Sequence, residues 1–487
     1  MRSWRGSMPR PAALDLLLAA DDVAVESARR SPLGLARAIN PTYRAAWFHR
    51  DLAERLKQFS LAVERGESPR LIVNIPPRHG KTALLCALAA WHLLRLPTHC
   101  VAYACYGQDL ANRVSKDVRP ILDLPAVRAA FPSSVIAKGR DNIGEWELEA
   151  RGSFKAVGVG GPLVGRGAHI LIIDDPHKNP AEGLSPKTTS KVWDWFGTAA
   201  KTRLAPGGGI VVCHQRWSTH DLTGRLLDPK AYEEEGEVHA AKWERVIYAA
   251  IAAQDEPHRK AGEPLDPDRY PLSALQEWRG GMTPSLWAAV GLQAPRQLAS
   301  GVRRESIQWV DPSEVPRGLR WVRAWDTATS EGTKADFTAG ILAAFDNTTQ
   351  RLYLASPQAR KLEAPAVQGF IEAVALQDGS RVEIFVEGVA SQVSVGQHLK
   401  ARPLLSGFRV HIVSKIPDKV TASVGWRTRA ADGLLFCVRG GAWDEFLRQW
   451  EEFGAGEHDD CVDAVSRADA ALAEDPTAWL APLRRAR

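Results

Sequence analysis

Arg70-Leu71-Ile72-Val73-Asn74-Ile75-Pro76-Pro77-Arg78-His79-Gly80-Lys81-Thr82 is the stretch whose reading decides the fold of the first half of the chain. Residues 70–75 are a compact apolar run of strand length, and Ala83–Leu94 (ALLCALAAWHLL) reads as a helix with a mostly buried face. A Gly-Lys-Thr triplet between a strand and a helix is a phosphate-binding arrangement. The backbone N–H groups of the loop and the helix N-terminus cradle an anion, Lys81 reaches the β and γ oxygens, and Thr82 offers a hydroxyl to Mg²⁺. Pro77, Arg78, His79 and Gly80 complete the loop, while Ile75 stands where the first glycine of the usual eight-residue pattern would be.

Working outward, residues 45–66 carry apolar positions at helical spacing before the strand, and HCVAYAC follows the helix as a second buried strand, giving a βαβ start. HILIIDD and GGGIVVCHQ are two further strands ending in polar residues. Four such strands predict an open, mainly parallel sheet with its site along the C-terminal edge. On that edge Asp174 suits a hold on Mg²⁺ and Asp175 suits alignment and deprotonation of a water. Arg78, inside the loop, and Arg166 are candidates for stabilising charge on a transferring phosphoryl group. Gln215 and Arg216 end a strand where a γ-phosphate sensor would sit, although Arg216 reads equally as fold support, and THDLTGRLL starts like a capped helix.

A different rhythm begins at Leu319. LRWVRAWD, FTAGILAAF and RLYLA are strand candidates separated by short polar turns, followed by a helix near 364–377, the strand VEIFVE, a helix near 394–403, the strand RVHIV and helices around 443–452 and 459–473. The order βββαβαβα predicts a mixed α/β second domain. Asp326 and Glu387 end two of its strands, and Asp459, Asp460 and Asp463 begin its last helix. Carboxylates converging from two strand ends and a helix suit a two-metal site for Mg²⁺ or Mn²⁺ acting on a phosphodiester. Asp459 is best placed to cap the helix, leaving Asp460 as the main third ligand beside Asp463. Asp336, Lys415, Asp418 and Lys419 are secondary candidates, the lysines toward a phosphate backbone or as ordinary surface charge. The expected division is an N-terminal extension over 1–44, a first domain over 45–250, a packed connector over 251–315, a second domain over 316–475 and a basic tail over 476–487.

The 487 residues are 45% hydrophobic and 24% charged, the balance of a folded protein with more than one core. Residues 1–315 hold 41 basic and 35 acidic side chains and the remainder 21 and 22, within a net charge of +5; this permits an anionic partner for the first part without establishing one. Six cysteines form no CxxC pair and no short cluster with histidine, so structural zinc and a disulfide scaffold are not indicated. The apolar run Ala83–Trp91 is too short to span a bilayer, and the expected location is the cytoplasm.

Taken in order, IPPRHGKT, LIIDDPH, HQRWSTHDLTGRLL, AWDTA with Lys334-Ala335-Asp336, VEGVAS and HDDCVDA resemble the motifs of the large subunit of tailed-bacteriophage (or prophage) DNA-packaging terminases, from about Phe48 to Asp469. The resemblance implies an α/β protein: a P-loop ATPase domain with a mainly parallel sheet, followed by a ribonuclease-H-like mixed α/β nuclease domain. It implies ATP and Mg²⁺ as cofactors, with Mn²⁺ as a substitute. Its expected partners are double-stranded DNA, a portal protein, a terminase small subunit and a procapsid, with a ring oligomer on the portal in the cytoplasm of a bacterial host. Lys81 and Thr82 would hold nucleotide and metal, Asp174 metal, and Arg78 the transferring phosphoryl group; Asp326, Glu387 and Asp460 would be the main nuclease ligands, with Asp459 and Asp463 competing for the third place. Asp175 stands where many relatives have Glu, a shorter reach to the water that makes Glu182 a reserve candidate; Gly388 stands where they often have a second acid, and Gln392 where they often have Gly. A helicase-nuclease of DNA repair and a packaging motor lacking nuclease activity are the competing classes.

Overall fold

The computed structural model describes residues 22–163, 167–232, 235–297, 301–327, 337–387, 393–413, 419–453, 456 and 458–473. The chain divides into two compact units, Met1–Leu275 with Ala288–Pro295, and Gln276–Trp287 with Arg296–Arg487. The stretch 251–315 thus contributes to both.

The first unit is built on β1 (Arg70–Asn74), β2 (Cys100–Cys105), β3 (Ile136–Asp141), β4 (Glu145–Leu148), β5 (Ser153–Gly158), β6 (Ala168–Asp174), β7 (Leu204–His214) and β8 (Glu244–Ile247). They form one sheet in the order β3-β4-β5-β2-β6-β7-β1-β8. Neighbours from β5 to β8 run parallel, while β3, β4 and β5 pair antiparallel at one edge. The long apolar runs follow from burial on both faces. Leu71, Val73, Ile170, Ile172, Val211 and Cys213 pack on one side, and Ile72, Leu171, Ile173, Ile210 and Val212 on the other. Helices α1 (Trp47–Glu64) and α2 (Lys81–Arg95) cover the first of these sides, so α2 is apolar nearly all round. The register pairs Asn74 with His214, Asp174 with Cys213 and Cys105 with Asp174. The four strand ends therefore meet on one edge.

The second unit has β9 (Gln308–Val310), β10 (Trp321–Asp326), β11 (Thr338–Asp346), β12 (Arg351–Arg360), β13 (Glu383–Glu387), β14 (Val410–Val413) and β15 (Leu435–Val438), in the order β14-β13-β10-β11-β12-β15-β9. The antiparallel meander β10-β11-β12 is extended on each side by parallel strands. This is the mixed α/β arrangement expected for the second half. Strand alternation sends Val322 and Ala324 to a core shared with α5 (Lys419–Ala431) and α6 (Asp460–Leu472), through Trp426, Cys461, Val462 and Val465. Trp325, Ile384 and Val386 face α3 (Ala364–Asp378) and α4 (Val393–Ala401), through Val367, Ile371, Val374 and Leu399. Asp326 thus lies on the α6 side. All six cysteines are buried and free. Among the described residues no helix is long and apolar enough to cross a membrane.

Candidate functional sites

In the first unit the chain leaves β1 at Asn74 and turns through Arg78 and Gly80, both at positive φ (63° and 78°), into α2. Gly80 meets two demands at once, because an added Cβ would lie 2.9 Å from Nε2 of His49 and an L side chain rarely adopts this backbone. His49 braces the loop from α1, with Nε2 3.0 Å from the carbonyl oxygen of His79, and burial pushes its pKa down to about 4. His79 is itself buried, its Nδ1 2.9 Å from the Pro77 carbonyl oxygen. Its ring thus shapes the loop. The Arg78 carbonyl accepts from the Arg269 guanidinium and the Tyr270 hydroxyl, each at 3.4 Å.

Lys81 and Thr82 open α2 directly beneath the end of β6. Thr82 donates its hydroxyl to Oδ2 of Asp174 at 2.8 Å, and the Tyr103 hydroxyl donates to the same oxygen at 2.9 Å. Lys81 pairs with Asp175, which follows β6 at a φ of 46°. Burial raises the Asp174 pKa to about 6; the Lys81 ammonium opposes this and the Asp175 carboxylate adds to it. Burial alone would lower the Lys81 pKa, but the carboxylates of Asp175 and Asp174 outweigh it and hold the ammonium protonated. Among the described residues, Oδ1 of Asp174 and Oδ1 of Asp175 are both buried without a hydrogen-bond partner. Two unsatisfied carboxylate oxygens beside a hydroxyl, an ammonium and a helix N-terminus fit a hydrated divalent cation carrying a polyphosphate.

Gln215 and Arg216 leave β7 on this edge, both buried. Arg216 is held by Asp221, with Nε 3.0 and 2.9 Å from its two oxygens, and Asp221 also accepts from the backbone N–H groups of Trp217 (2.9 Å) and Gly224 (2.9 Å). The expected helix start is thus present with Asp221 as its cap, and Arg216 ties the 215–221 loop together. Asp221 is fully buried; burial alone would raise its pKa, yet Arg216 and these donors hold it at about 2. Glu182 accepts from the Lys178 N–H at 2.9 Å, in a turn capped by Asn179. Arg166 lies outside the described residues.

In the second unit Asp326 and Glu387 end the adjacent parallel strands β10 and β13, whose register pairs Trp325 with Val386. Asp460 and Asp463 begin α6, and Asp460 accepts from the Phe337 N–H at 3.1 Å. Burial raises the Asp326 pKa to about 8; Arg467 opposes the rise, while Asp463 and Asp460 add to it. Burial likewise raises Asp463 to about 6, against Lys419 and Arg467. The structure therefore brings Asp326, Asp460 and Asp463 within electrostatic reach of one another. Asp459 departs from its expected role: it holds the N-cap position of α6 but makes no side-chain capping bond. Its carboxylate pairs instead with Lys419, whose Nζ is also 3.4 Å from Asp463. The ammonium's full charge outcompetes the helix N–H groups for that oxygen. Burial would lower the Lys419 pKa, but Asp459 and Asp463 raise it to about 12. Asp336, Gly388, Gln392, Lys415 and Asp418 lie outside the described residues.

Two participants are not apparent in the sequence. Tyr103 lies in an unbroken apolar strand, where an aromatic residue reads as core. Arg467 reaches back from α6 to Oδ1 of Asp326 at 2.8 Å, to the Trp325 carbonyl oxygen at 3.1 Å and to the Glu387 carboxylate. The signal for Arg467 was its spacing, seven residues after Asp460 and four after Asp463, on one helix face. Among the described residues no three His, Cys, Asp or Glu groups stand close enough together to hold a metal ion. The donor set is nonetheless all hard carboxylate oxygen, which suits Mg²⁺ or Mn²⁺.

No family model matches the chain. It is 22% identical, over 326 residues, to the terminase large subunit of Enterobacteria phage T3; the match takes in 61% of this chain and 55% of that one, so the chain spans about half the length of the curated relative. Among solved structures it is similar to the large terminase of bacteriophage HK97, at 14% identity over 89% of this chain and 96% of that chain with a TM-score of 0.35. It is also similar to the large terminase of a thermophilic bacteriophage, at 12% identity over 84% and 95% with a TM-score of 0.43.

Proposed function

We propose that this chain is a terminase large subunit, which hydrolyses ATP in its first unit to drive double-stranded viral DNA into a procapsid and cuts concatemeric DNA with its second unit in a metal-dependent reaction. The observation that carries this reading is the pair of strand-end acids at the phosphate loop. Asp174 is fixed by Thr82 and Tyr103 through one oxygen and presents the other, buried and unsatisfied among the described residues, beside Lys81.

Mg²⁺ on the nucleotide would neutralise developing phosphate charge, and Thr82 and Asp174 are the residues that would hold it. Pro77, Arg78, His79 and Gly80 present the loop backbone to the phosphates. Lys81 exchanges its partner Asp175 for phosphate oxygens, and that exchange frees Asp175 to orient and deprotonate the attacking water. Arg78 acts on the transferring group, Gln215 senses it at the end of β7, and Arg216 holds the following loop in place. In the second unit Asp326, Glu387 and Asp460 are the main metal ligands, with Asp463 and Asp459 beside them, and the bound cations would activate water and stabilise the departing 3′ oxygen. The partners on this reading are a portal protein, a terminase small subunit and a procapsid, with several copies in a ring on the portal in the host cytoplasm.

The test separates the two activities. A folded Lys81→Ala protein should lose ATP hydrolysis, and Asp326→Ala should lose cutting while still translocating precut linear DNA in a reconstituted packaging assay. Near-normal ATPase turnover in the first variant, or equal loss of both activities in the second with normal ATPase, would contradict the reading.

A further inference from the structure

We infer that Arg467 is a built-in competitor for the divalent cation of the second unit: its guanidinium bridges Asp326 and Glu387, and a metal ion enters by displacing it. The inference rests on the proposed reading of these acids as a metal site and concerns what governs that site's loading.

Three observations carry it. First, the guanidinium spans the two acids that end β10 and β13, with Nη1 2.8 Å from Oδ1 of Asp326 and Nη2 on the Glu387 carboxylate. A planar fork carrying one positive charge between two carboxylates supplies the electrostatic service of a cation there. Second, the contact is built in. The Arg467 side chain is 7% exposed and those of Asp326 and Glu387 are 11% and 16% exposed, and Nη1 is anchored to the Trp325 carbonyl oxygen at 3.1 Å. Third, the two acids it spans end adjacent parallel strands, and Asp460 and Asp463 open the helix that carries Arg467 itself. Lys419 treats Asp459 and Asp463 in a similar way at the α6 N-terminus.

Without a positive charge between them, two buried carboxylates on neighbouring strands would repel at short range. Arg467 therefore offsets that repulsion, and the same contact must be given up when a metal binds. Charge-assisted bonds of this kind are worth enough to weaken metal affinity by about tenfold or more. Cutting would then be confined to conditions, such as a bound phosphodiester, that give the guanidinium another anionic partner.

The test is Mn²⁺ binding to the full-length protein, read by the electron paramagnetic resonance signal of the free ion, together with thermal unfolding with and without Mn²⁺. Arg467→Gln should bind Mn²⁺ about tenfold more tightly than the parent, melt earlier without metal and regain stability with it. Arg467→Lys keeps the charge but cannot fork across both acids, so an intermediate gain is expected; it carries the comparison if the glutamine variant fails to fold. Lys361→Gln removes a cation near His458 and controls for through-space charge, with little change expected. If Asp326→Asn abolishes binding while the Arg467 variants bind no more tightly than the parent or than Lys361→Gln, the competitor role is overturned and the metal site stands. If Asp326→Asn leaves Mn²⁺ binding unchanged, the metal site itself is rejected and the competitor role falls with it.

Discussion

Replacing Asp174 by Asn should stabilise the nucleotide-free protein and at the same time abolish ATP hydrolysis. The carboxyl is 2% exposed, and burial lifts its pKa from an ordinary 3.8 to about 6. A carboxyl whose folded pKa lies above its unfolded value opposes folding once ionised. Its unfavourable contribution is absent below about pH 4, grows as the pH rises through about 6, and is complete above that. The full difference corresponds to about 3 kcal/mol, or roughly 6 °C in the melting temperature of a unit this size. Asparagine keeps an oxygen for the Thr82 and Tyr103 hydroxyls, and its amide takes the place of an oxygen that already lacks a partner. Lys81 loses one of two neighbouring carboxylates but keeps its ion pair with Asp175. Hydrolysis should fall by at least about a hundredfold, because the charge that holds the metal is gone. Calorimetry without nucleotide between pH 4.5 and 8, paired with phosphate release, checks both halves. A variant less stable than the parent at pH 8, or a stability difference that does not grow with pH, would refute the burial argument; retained hydrolysis would refute the site.

Asp221→Asn leaves the buried Arg216 without a charged partner and should destabilise the first unit by about 3 kcal/mol in denaturant unfolding at neutral pH. Because the folded pKa of Asp221 is depressed to about 2, its contribution is present above about pH 4 and is lost as the pH falls toward 2; the gap between variant and parent should close over that interval. Gly80→Ala places a Cβ 2.9 Å from His49 at a φ of 78°, so titration with a fluorescent ATP analogue should show affinity weakened by about tenfold or more. Plasmid cutting in Mg²⁺ or Mn²⁺ should vanish with EDTA and in Asp326→Ala, Glu387→Ala and Asp460→Ala. Asp459→Ala, which removes a side chain engaged by Lys419, should cut at a reduced rate; an inactive Asp459→Ala beside a fully active Asp460→Ala would move the third ligand to Asp459.

The parts of this molecule legible in the sequence share one physical cause, the covering of a sheet on both faces. Residues 71–73, 170–173 and 210–213 had to be apolar at every position, and a polar residue ending such a run marks the sheet edge where a site can stand. Asp174 announces itself in this way; Asp326 and Glu387 do so less cleanly, because Arg323 and Glu383 interrupt the apolar pattern of β10 and β13. Strands without that covering did not: β3, β4 and β8 lie at or near a sheet edge and carry charged residues at Lys138, Glu145, Glu147, Glu244 and Arg245. α5 and β15 are equally hard to read, because Lys419, Arg427 and Arg429 dilute the apolar pattern although Trp426, Ala430, Leu435 and Cys437 reach the core. The cations that answer the acids were harder to find still. An arginine on a helix is ordinary surface chemistry until its partner is known, and the partners of Arg467 lie on strands 141 and 80 residues earlier in the chain. What distinguishes Arg467 from its many equivalents is position, since Asp460, Asp463 and Arg467 fall on one stripe of α6 while Cys461, Val462 and Val465 anchor that helix to the sheet. A stripe carrying two acids and a base beside an apolar anchor is therefore a readable sign that a helix start closes over an acidic strand edge.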